Sequence, residues 1–309
     1  MKKIISSVIL FTVISVFASG EVKHLKILTI GNSFSNSVFN DLENIVKSTP
    51  GCAITLCRAN IGGASFSIHW NYHLKSEKNP SFKPYLKDNK DKNSKKYSLR
   101  EALTMEKWDI ITIHQSSRKS WMLSTYYPDA DNLIKLIRSL APQAEIVIQQ
   151  TWSYNSAAPL YKEWKIDQKT MYDRLTGSYL ALAEKYNLRI IPTGYAVQLY
   201  REELGEKLVQ PDPAKFNSLR RLERPRNTDV TGNFYWKKKG KTGEYYLSSD
   251  PTHMNPRGRY LQACVWFGFL YGKDPEAITY IPAGMKQEQV VFFRKVAKKA
   301  ISGFRQVKK

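Results

Sequence analysis

Short apolar runs alternate with longer stretches of mixed polarity along most of the chain. Each run has the length and the Ile, Val and Leu content of a strand buried on both faces, as in a parallel sheet. The intervening stretches have helical character. This alternation predicts a doubly wound α/β domain with five parallel strands, at residues 25–30, 53–58, 108–113, 145–149 and 188–192, and helices that include residues 38–47, 129–140 and 168–186.

Residues 209–248 interrupt the alternation and are interpreted as an insertion in a single domain that spans residues 21–309. The end of this insertion has hairpin character, because aromatic segments at 233–236 and 244–247 flank a turn rich in glycine and lysine. A second basic insertion is predicted near residues 75–100.

The first 20 residues have the pattern of a secretory signal peptide. Two lysines precede an apolar run at residues 4–17, and small residues follow it, which predicts cleavage near Gly20. The alternative is an uncleaved membrane anchor, but the run is shorter than the ~20 residues that span a bilayer. We therefore expect a secreted or periplasmic protein with no stable membrane insertion after cleavage.

Three cysteines cannot all pair within one chain. Cys52 and Cys57 are an odd number of residues apart on one predicted strand, so their side chains point to opposite faces. Cys264 lies in an apolar helical stretch. Free thiols are the favoured interpretation for all three.

The formal net charge of +21 falls to about +19 if Lys2 and Lys3 are removed with the signal peptide. The cations concentrate in residues 75–100 and 215–241. Such a charge favours anionic partners, and an exported protein would meet acidic polysaccharides, cell-wall polymers or lipid head groups. No nucleic-acid-binding motif accompanies the charge, so a nucleic-acid partner is not expected. A surface kept soluble by charge is the alternative interpretation.

Two short segments at opposite ends of the chain contain candidate catalytic residues. Ser33 follows the first apolar run, and Gly31 before it permits a sharp exit that exposes the hydroxyl where the strand ends. Asp250 and His253 are three residues apart. On a turn or a first helical turn, the carboxylate can orient the imidazole while the other ring nitrogen faces Ser33. These side chains predict a nucleophile, a general base and its orienting group.

This arrangement resembles the SGNH hydrolase superfamily, the GDSL-like esterases, in which a serine follows the first strand and Asp-x-x-His forms the last block. The resemblance covers most of the chain after residue 20 and implies a three-layer α/β/α sandwich with a flavodoxin-like sheet. It also implies a glycine after the second strand whose N–H faces the oxyanion. Gly63 is the first candidate for that glycine, and Gly62 is the second.

The usual third block of this superfamily, Gly-x-Asn-Asp, is absent. His114 and Gln115 stand at the corresponding position, after the third predicted strand. This is similar to a branch with sialate-esterase-like and acetylxylan-esterase-like members, in which a glutamine amide replaces the asparagine. The resemblance therefore implies Gln115 as an oxyanion donor.

The chemistry of acyl transfer explains why these residue types are needed. Negative charge develops on a carbonyl oxygen, and the N–H groups of Ser33 and Gly63 with the amide of Gln115 would form the oxyanion hole. His253 would take the Ser33 proton and return it to the leaving alcohol, so the rate should rise through roughly pH 6 to 7. This chemistry requires no metal or other cofactor.

Other residues are candidates for weaker reasons. Trp152 follows the fourth predicted strand and is a candidate substrate contact, with core packing as the alternative, and His114 could contact substrate or position Gln115. His69 and His73 are four residues apart, but no third metal ligand accompanies them, so local hydrogen bonding is favoured. Ser65 is a rival nucleophile in a less favourable position.

The sequence favours a secreted serine esterase that removes O-acyl groups, with acetyl preferred, from a polysaccharide or other glycan that can be anionic. A lipase or thioesterase is the enzymatic alternative, although no long apolar loop near the site suggests a groove for an acyl chain. A non-catalytic glycan- or polyanion-binding protein on an esterase scaffold is the second class. The third is a cell-surface protein whose basic insertions bind envelope polymers.

Overall fold

The computed structural model describes residues 21–86, 94–204, 209, 211–218, 222–223 and 225–306. The predicted signal peptide at residues 1–20 lies outside this part of the chain, and so do segments of both predicted insertions.

The strands, numbered in chain order, form one large and two small sheets. Their bounds are β1 (Lys23–Gly31), β2 (Cys52–Asn60), β3 (Tyr85–Leu86), β4 (Lys96–Tyr97), β5 (Ile110–Ile113), β6 (Glu145–Gln149), β7 (Arg189–Ile191), β8 (Asn217–Ser218), β9 (Thr231–Lys238) and β10 (Tyr245–Met254).

The α-helices, also in chain order, connect and cover these strands. Their bounds are α1 (Ser33–Asn36), α2 (Leu42–Lys47), α3 (Phe66–Lys78), α4 (Leu99–Thr104), α5 (Asp129–Leu140), α6 (Leu160–Trp164), α7 (Gln168–Tyr186), α8 (Thr193–Glu203), α9 (Pro256–Tyr271) and α10 (Gln287–Gly303).

The large sheet is entirely parallel and has the order β2-β1-β5-β6-β7. Counting only its own strands, this is the 2-1-3-4-5 order of flavodoxin-like folds, with a switch point beside β1. Helices α2, α8, α9 and α10 contact one another on one side, and α3, α4 and α5 do so on the other. The predicted α/β class with a five-stranded parallel sheet is confirmed.

The core explains why apolar runs revealed the strands so well. Strands β1, β5 and β6 are covered on both faces, and β5 is buried along its whole length. Helix α9 is buried around most of its circumference, as its nearly continuous apolar sequence requires.

Two details differ from the predictions. The predicted helix at residues 38–47 is divided into a 3₁₀ turn, Ser37–Asn40, and α2. The strand predicted to start at Trp108 begins two residues later as β5. The indole N–H of Trp108 donates to the carbonyl of Ala102, so this residue packs beneath α4 instead of pairing in the sheet.

The predicted hairpin in the 209–248 segment is present. Strands β9 and β10 pair in antiparallel register with Trp236 opposite Leu247, and β8 adds a short third strand. Strand β10 extends beyond the predicted hairpin and includes residues 250–253. The segment is therefore continuous with the candidate histidine.

All three cysteines are free thiols, with Cys264 buried and Cys52 and Cys57 partly buried. None of the helices in the described ranges is both long enough and apolar enough to cross a bilayer.

Candidate active site

The segment that carries the candidate nucleophile begins where β1 leaves the sheet. Asn32 adopts an extended conformation and caps α1, because its side-chain oxygen accepts a hydrogen bond from the N–H of Phe34 at 3.0 Å. Its side-chain amide donates to the carbonyl of Ala64 at 2.9 Å and so joins the ends of β1 and β2. Ser33 is thereby placed at the first position of α1, at the carboxyl edge of the sheet.

Gly31 is needed for a reason that the sequence did not reveal. Its backbone is not in the left-handed region, so the sharp turn does not itself require glycine. A Cβ atom at this position would instead lie 2.2 Å from Nε2 of His114 and 2.6 Å from Oγ of Ser35. Glycine allows His114 to approach the backbone next to Ser33.

Ser33, His253 and Asp250 form a continuous chain of hydrogen bonds. Oγ of Ser33 lies 2.8 Å from Nε2 of His253, and Nδ1 of His253 lies 2.6 Å from Oδ2 of Asp250. A proton on Nδ1 would be donated to the carboxylate and would leave Nε2 as the acceptor for the serine hydroxyl. The side chains of His253 and Asp250 are 42% and 31% exposed, so the chain of bonds is accessible from solvent.

Asp250 and His253 meet on a bulged strand end, not on a helical turn. The pairing register of β10 with β9 shifts between Asp250 and Met254, and Pro251 has no N–H to donate to the sheet. Oδ1 of Asp250 accepts hydrogen bonds from the N–H groups of Thr252 at 3.1 Å and His253 at 3.3 Å. These hydrogen bonds form a turn closed by the Asp250 side chain, which places its carboxylate next to the imidazole of His253.

The same contacts determine the charge of Asp250. Burial opposes ionisation, but hydrogen bonds from His253 and Thr252 outweigh it and hold the pKa of the Asp250 carboxyl well below its usual range. The hydroxyl of Thr252 also donates to Oδ1 at 2.9 Å. Asp250 is therefore a carboxylate at neutral pH and can stabilise an imidazolium at His253.

Aromatic rings pack next to the imidazole of His253. Phe34 is stacked on Trp152 with centroids 4.0 Å apart, and its edge faces His253 at 5.5 Å. The indole N–H of Trp152 donates to the carbonyl of Thr252 at 2.9 Å. Trp152 does line a cavity beside Ser33, as predicted, but its side chain is fully buried. The alternative of core packing therefore describes it better than substrate contact.

Two backbone donors are available for an oxyanion. Gly63 has φ of 70°, which is in the left-handed region, and it lines the same cavity as Ser33. Within the described ranges, neither the N–H of Ser33 nor that of Gly63 has a hydrogen-bond acceptor. Gly62 does not line this cavity. Gly63, the first candidate, is therefore the better placed glycine.

The prediction that Gln115 supplies a third donor disagrees with its contacts. Its Nε2 donates to the carbonyl of Thr125 at 2.9 Å, and its Oε1 accepts from the N–H groups of Phe66 at 3.1 Å and Ser116 at 2.9 Å. The residue is fully buried and lines neither cavity at Ser33. Its amide instead joins the start of α3 to the loop after β5.

For His114 the sequence left two roles open, contact with substrate and positioning of Gln115. His114 is fully buried, with Nδ1 2.9 Å from the carbonyl of Gln115 and Nε2 2.8 Å from Oγ of Ser35. The N–H of Asn32 points to the same Nε2 at 3.3 Å. Burial lowers the pKa of His114 to about 4, so the ring is neutral at pH 7. The contact with the carbonyl of Gln115 agrees with the second role.

Ser33 and His253 lie between two cavities. One has a volume of about 470 Å³, and its wall includes Arg58, Asn233 and Arg259. The other, of about 250 Å³, contains Gly63 and, from segments after β5 and β6, Ser116, Ser117, Arg118 and Tyr154. The hydroxyl of Ser33 is therefore accessible from both sides.

Sequence reasoning missed several residues of these walls. Arg58 was predicted only as the last residue of a strand, and Arg259 was not singled out. Asn233 comes from the hairpin and donates to the carbonyls of His253 and Met254 at 3.4 and 3.3 Å. Arginines within otherwise apolar elements were the signal that could have indicated the first two.

A buried ion pair stabilises the loop behind the site. Arg201 on α8 contacts both carboxylate oxygens of Asp229 at 3.2 Å, and it also donates to the Ser153 hydroxyl at 2.8 Å and the Tyr154 carbonyl at 3.2 Å. The carbonyl of Asp229 accepts from the side chain of Asn255 at 2.7 Å. These bonds join the loop after β6 to the segment that follows His253.

His69 and the rival serine have structural contacts. Nε2 of His69 lies 3.0 Å from the carbonyl of Gly31, and Nδ1 lies 2.9 Å from the Tyr85 hydroxyl. Ser65 is buried and caps α3 by accepting from the N–H of Ile68. Over the described residues, no group of three or more His, Cys, Asp or Glu side chains is arranged to hold a metal ion.

A family model described as a domain of unknown function, DUF4886, matches residues 26–208. The chain belongs to the DUF4886 family. The DUF4886 match includes Ser33, Gly63 and Gln115 and ends before Asp250. Among curated proteins, none is significantly similar to the chain in sequence.

A solved structure of a DUF4886 family protein from Bacteroides uniformis superposes with a TM-score of 0.69 at 23% identity and covers 91% of this chain and 95% of its own. This likeness shows a shared fold.

Two further solved structures are more distant, each with a TM-score of 0.47 and 16% identity. A protein from Slackia heliotrinireducens, provisionally named an SGNH hydrolase, covers 79% of this chain and 97% of its own. A protein from Parabacteroides merdae, provisionally named a GDSL-like lipase, covers 82% of this chain and 99% of its own.

Proposed function

We propose that this protein is a secreted serine esterase of the SGNH type that removes O-acyl groups, with acetyl preferred, from a polysaccharide or other glycan. The observation that carries the proposal is the chain of bonds from Ser33 through His253 to Asp250, at 2.8 and 2.6 Å, at the carboxyl edge of a parallel sheet. Ligand sites of open α/β sheets lie at this edge. Export is proposed from the signal-like residues 1–20.

In the proposed mechanism, Oγ of Ser33 attacks the ester carbonyl while Nε2 of His253 takes its proton. Asp250 holds the Nδ1–H tautomer and stabilises the imidazolium. The N–H groups of Ser33 and Gly63 donate to the oxyanion. His253 then returns the proton to the leaving alcohol, and a water activated by the same nitrogen releases the acid.

The cavities suggest where the two parts of the ester bind. The smaller cavity contains Gly63, so we assign it to the acyl group, and we assign the larger one to the carrier. The wall of the larger cavity carries amides and guanidinium groups, among them Asn40, Arg58, Asn233 and Arg259. This lining suits hydroxyl groups of a sugar and does not suit the acyl chain of a lipase substrate.

The test is hydrolysis of 4-nitrophenyl acetate by the protein without residues 1–20, compared with Ser33→Ala and His253→Ala. We expect activity that requires both side chains and then extends to acetylated glycans. Ser65→Ala is the matched control, because this buried serine has no imidazole partner. Equal activity in the wild type and Ser33→Ala would contradict the mechanism and favour the non-catalytic glycan-binding alternative.

A further inference from the structure

Two arginines line the larger cavity next to Ser33, and the proposed mechanism uses neither of them. Arg58 lies near the carboxyl end of β2, and Arg259 lies in the first turns of α9. Both side chains are partly buried, so their positive charges are less screened than those of surface lysines. Strand β2 and helix α9, which are distant in sequence, thus place two cations in one cavity.

Arg58 is held in place by an aromatic ring. Its guanidinium carbon lies 3.8 Å from the ring centroid of Phe39, which also lines the cavity. The backbone carbonyl of Arg58 accepts a hydrogen bond from the hydroxyl of Tyr97. A guanidinium stacked on a ring directs its N–H donors in its own plane, a geometry that matches a carboxylate or sulfate.

Arg259 lies in the first turns of a helix whose start is capped. The side chain of Asn255 caps α9 by accepting from the N–H groups of Arg257 and Gly258. In the portion of the chain that is described, no carboxylate lies within ion-pair distance of Arg259.

Two acidic side chains lie close to this cavity, and each has a contact other than an ion pair with Arg259. Asp250 is bound to His253 at 2.6 Å. Asp41 lies behind Arg259, where burial raises the pKa of its carboxyl, opposed by the charge of Arg259 and by the hydroxyl of Tyr280. Asp41 interacts with the charge of Arg259 but forms no ion pair with it within the described residues.

We propose that Arg58 and Arg259 bind an anionic group, a carboxylate or a sulfate, on the carrier of the ester that Ser33 attacks. This inference rests on the proposed esterase function and narrows its substrate to acylated acidic glycans. The group would occupy the larger cavity while the acyl group occupies the smaller one. Charge-assisted bonds from two guanidinium groups would then select acidic over neutral carriers.

The test compares kcat/KM on three substrates with the same acetyl position: acetylated methyl glucoside, acetylated methyl glucuronide and acetylated methyl glucoside 6-sulfate. Arg58→Gln and Arg259→Gln should each lower the preference for the anionic over the neutral substrate by about 10- to 100-fold. Whether the carboxylate or the sulfate substrate shows the larger loss identifies the group. Arg305→Gln is the matched control, because it removes the same charge from an exposed residue that lines neither cavity.

Two further measurements distinguish loss of the anion site from misfolding and from failure of the esterase hypothesis. Arg58→Lys keeps the charge but loses the planar donors, so its preference should fall between those of the wild type and Arg58→Gln. Calorimetric titration of Ser33→Ala with methyl glucuronide and with methyl glucoside measures binding without hydrolysis. Binding of the acid alone, lost in Ser33→Ala/Arg259→Gln, would support the anion site even if no ester is cleaved.

Two outcomes would overturn the inference. If the wild type hydrolyses 4-nitrophenyl acetate in a Ser33-dependent way but both arginine variants lose activity equally on neutral and anionic sugars, the cavity does not select charge. If Ser33 is not required for hydrolysis and glucuronide does not bind, both proposals fail.

Discussion

Two histidines contact two serines of the same short segment, and only one pair has the features of a catalytic centre. His253 contacts Ser33 and His114 contacts Ser35, each through Nε2 at 2.8 Å. Nδ1 of His253 bonds to the carboxylate of Asp250, whereas Nδ1 of His114 bonds to the carbonyl of Gln115. His253 lines both cavities, and His114 is fully buried.

The difference shows that a serine–histidine hydrogen bond does not itself identify a nucleophile. A carbonyl can orient an imidazole, but it carries no full charge to stabilise an imidazolium. Burial also penalises the protonated ring of His114. The Ser35–His114 pair is therefore a structural support for the backbone that carries Ser33.

Exchange of each serine for alanine should separate the two pairs most strongly. Ser33→Ala should lower kcat by about 10⁶-fold with little change in stability, because the nucleophile is lost but no buried bond is. Ser35→Ala should lower kcat by less than about 10-fold and cost about 1–3 kcal/mol of stability, since Gln149 and His114 lose a partner. Steady-state kinetics and urea unfolding measure both. A larger kinetic effect of Ser35→Ala would reverse the assignment.

The next largest effect is expected at the partner of Nδ1. Asp250→Asn should lower kcat by about 10⁴-fold, because the amide would donate to Nδ1 and leave the proton on Nε2, where it blocks acceptance from Ser33. Asp212→Asn is the control, since this exposed residue caps a 3₁₀ turn through an oxygen that asparagine retains. A loss of less than about 10-fold in Asp250→Asn would mean that the carboxylate is not needed for tautomer control.

A smaller effect is expected at Gln115, beside His114. Gln115→Glu keeps an oxygen that accepts from the N–H groups of Phe66 and Ser116. It replaces the amide group that donates to the carbonyl of Thr125 by a carboxylate oxygen. It should lower the melting temperature but change kcat by less than about 10-fold. An oxyanion donor would instead cost about 100- to 1,000-fold, so a loss of that size at unchanged melting temperature would restore the role implied by the resemblance.

The smallest effect is a pH dependence of stability due to buried histidines. Burial lowers the pKa of His69 to about 3 and that of His114 to about 4, below the ordinary value of about 6.5 that applies in the unfolded chain. Between these values the unfolded state binds protons that the folded state does not. Stability should therefore fall as the pH drops from about 6.5 toward 4, by up to roughly 1.4 kcal/mol per pH unit for each histidine.

Urea unfolding between pH 5 and 7 measures this slope, and His69→Gln should reduce it by about one proton. His24→Gln is the control, because its ring lies on an exposed part of β1. An unchanged slope in His69→Gln would show that His69 is protonated in the folded protein.

Much of the fold could be predicted because strands buried on both faces of a parallel sheet are short apolar runs in the sequence. Strands β5 and β6 are short runs made mostly of isoleucine and valine, and the helices predicted at Asp129–Leu140 and Gln168–Tyr186 have the observed bounds. The hairpin was indicated by its turn residues. The division of residues 37–47 into a 3₁₀ turn and α2 was not predicted, because both halves share one apolar face.

The candidate site was predictable to a smaller extent. Residues at the carboxyl ends of parallel strands must lie near one another, which was enough to group Ser33 and Gly63. Gln115 follows the same rule, yet its amide points to Thr125 because two buried N–H groups and a carbonyl needed partners there. Arg58 and Arg259 were missed because their convergence depends on how β2 and α9 pack around β1.

The sequence by itself determined the order of strands and helices and which polar residues stand at the edge of the sheet, because both follow from periodicity and from the direction of the chain. The tertiary structure decided which of these residues are accessible. His253 and His114 both come within 2.8 Å of a serine, and only packing distinguishes the cavity at one from the dry interior at the other. That choice depends on contacts between residues 79 and 220 positions apart, which no local pattern encodes.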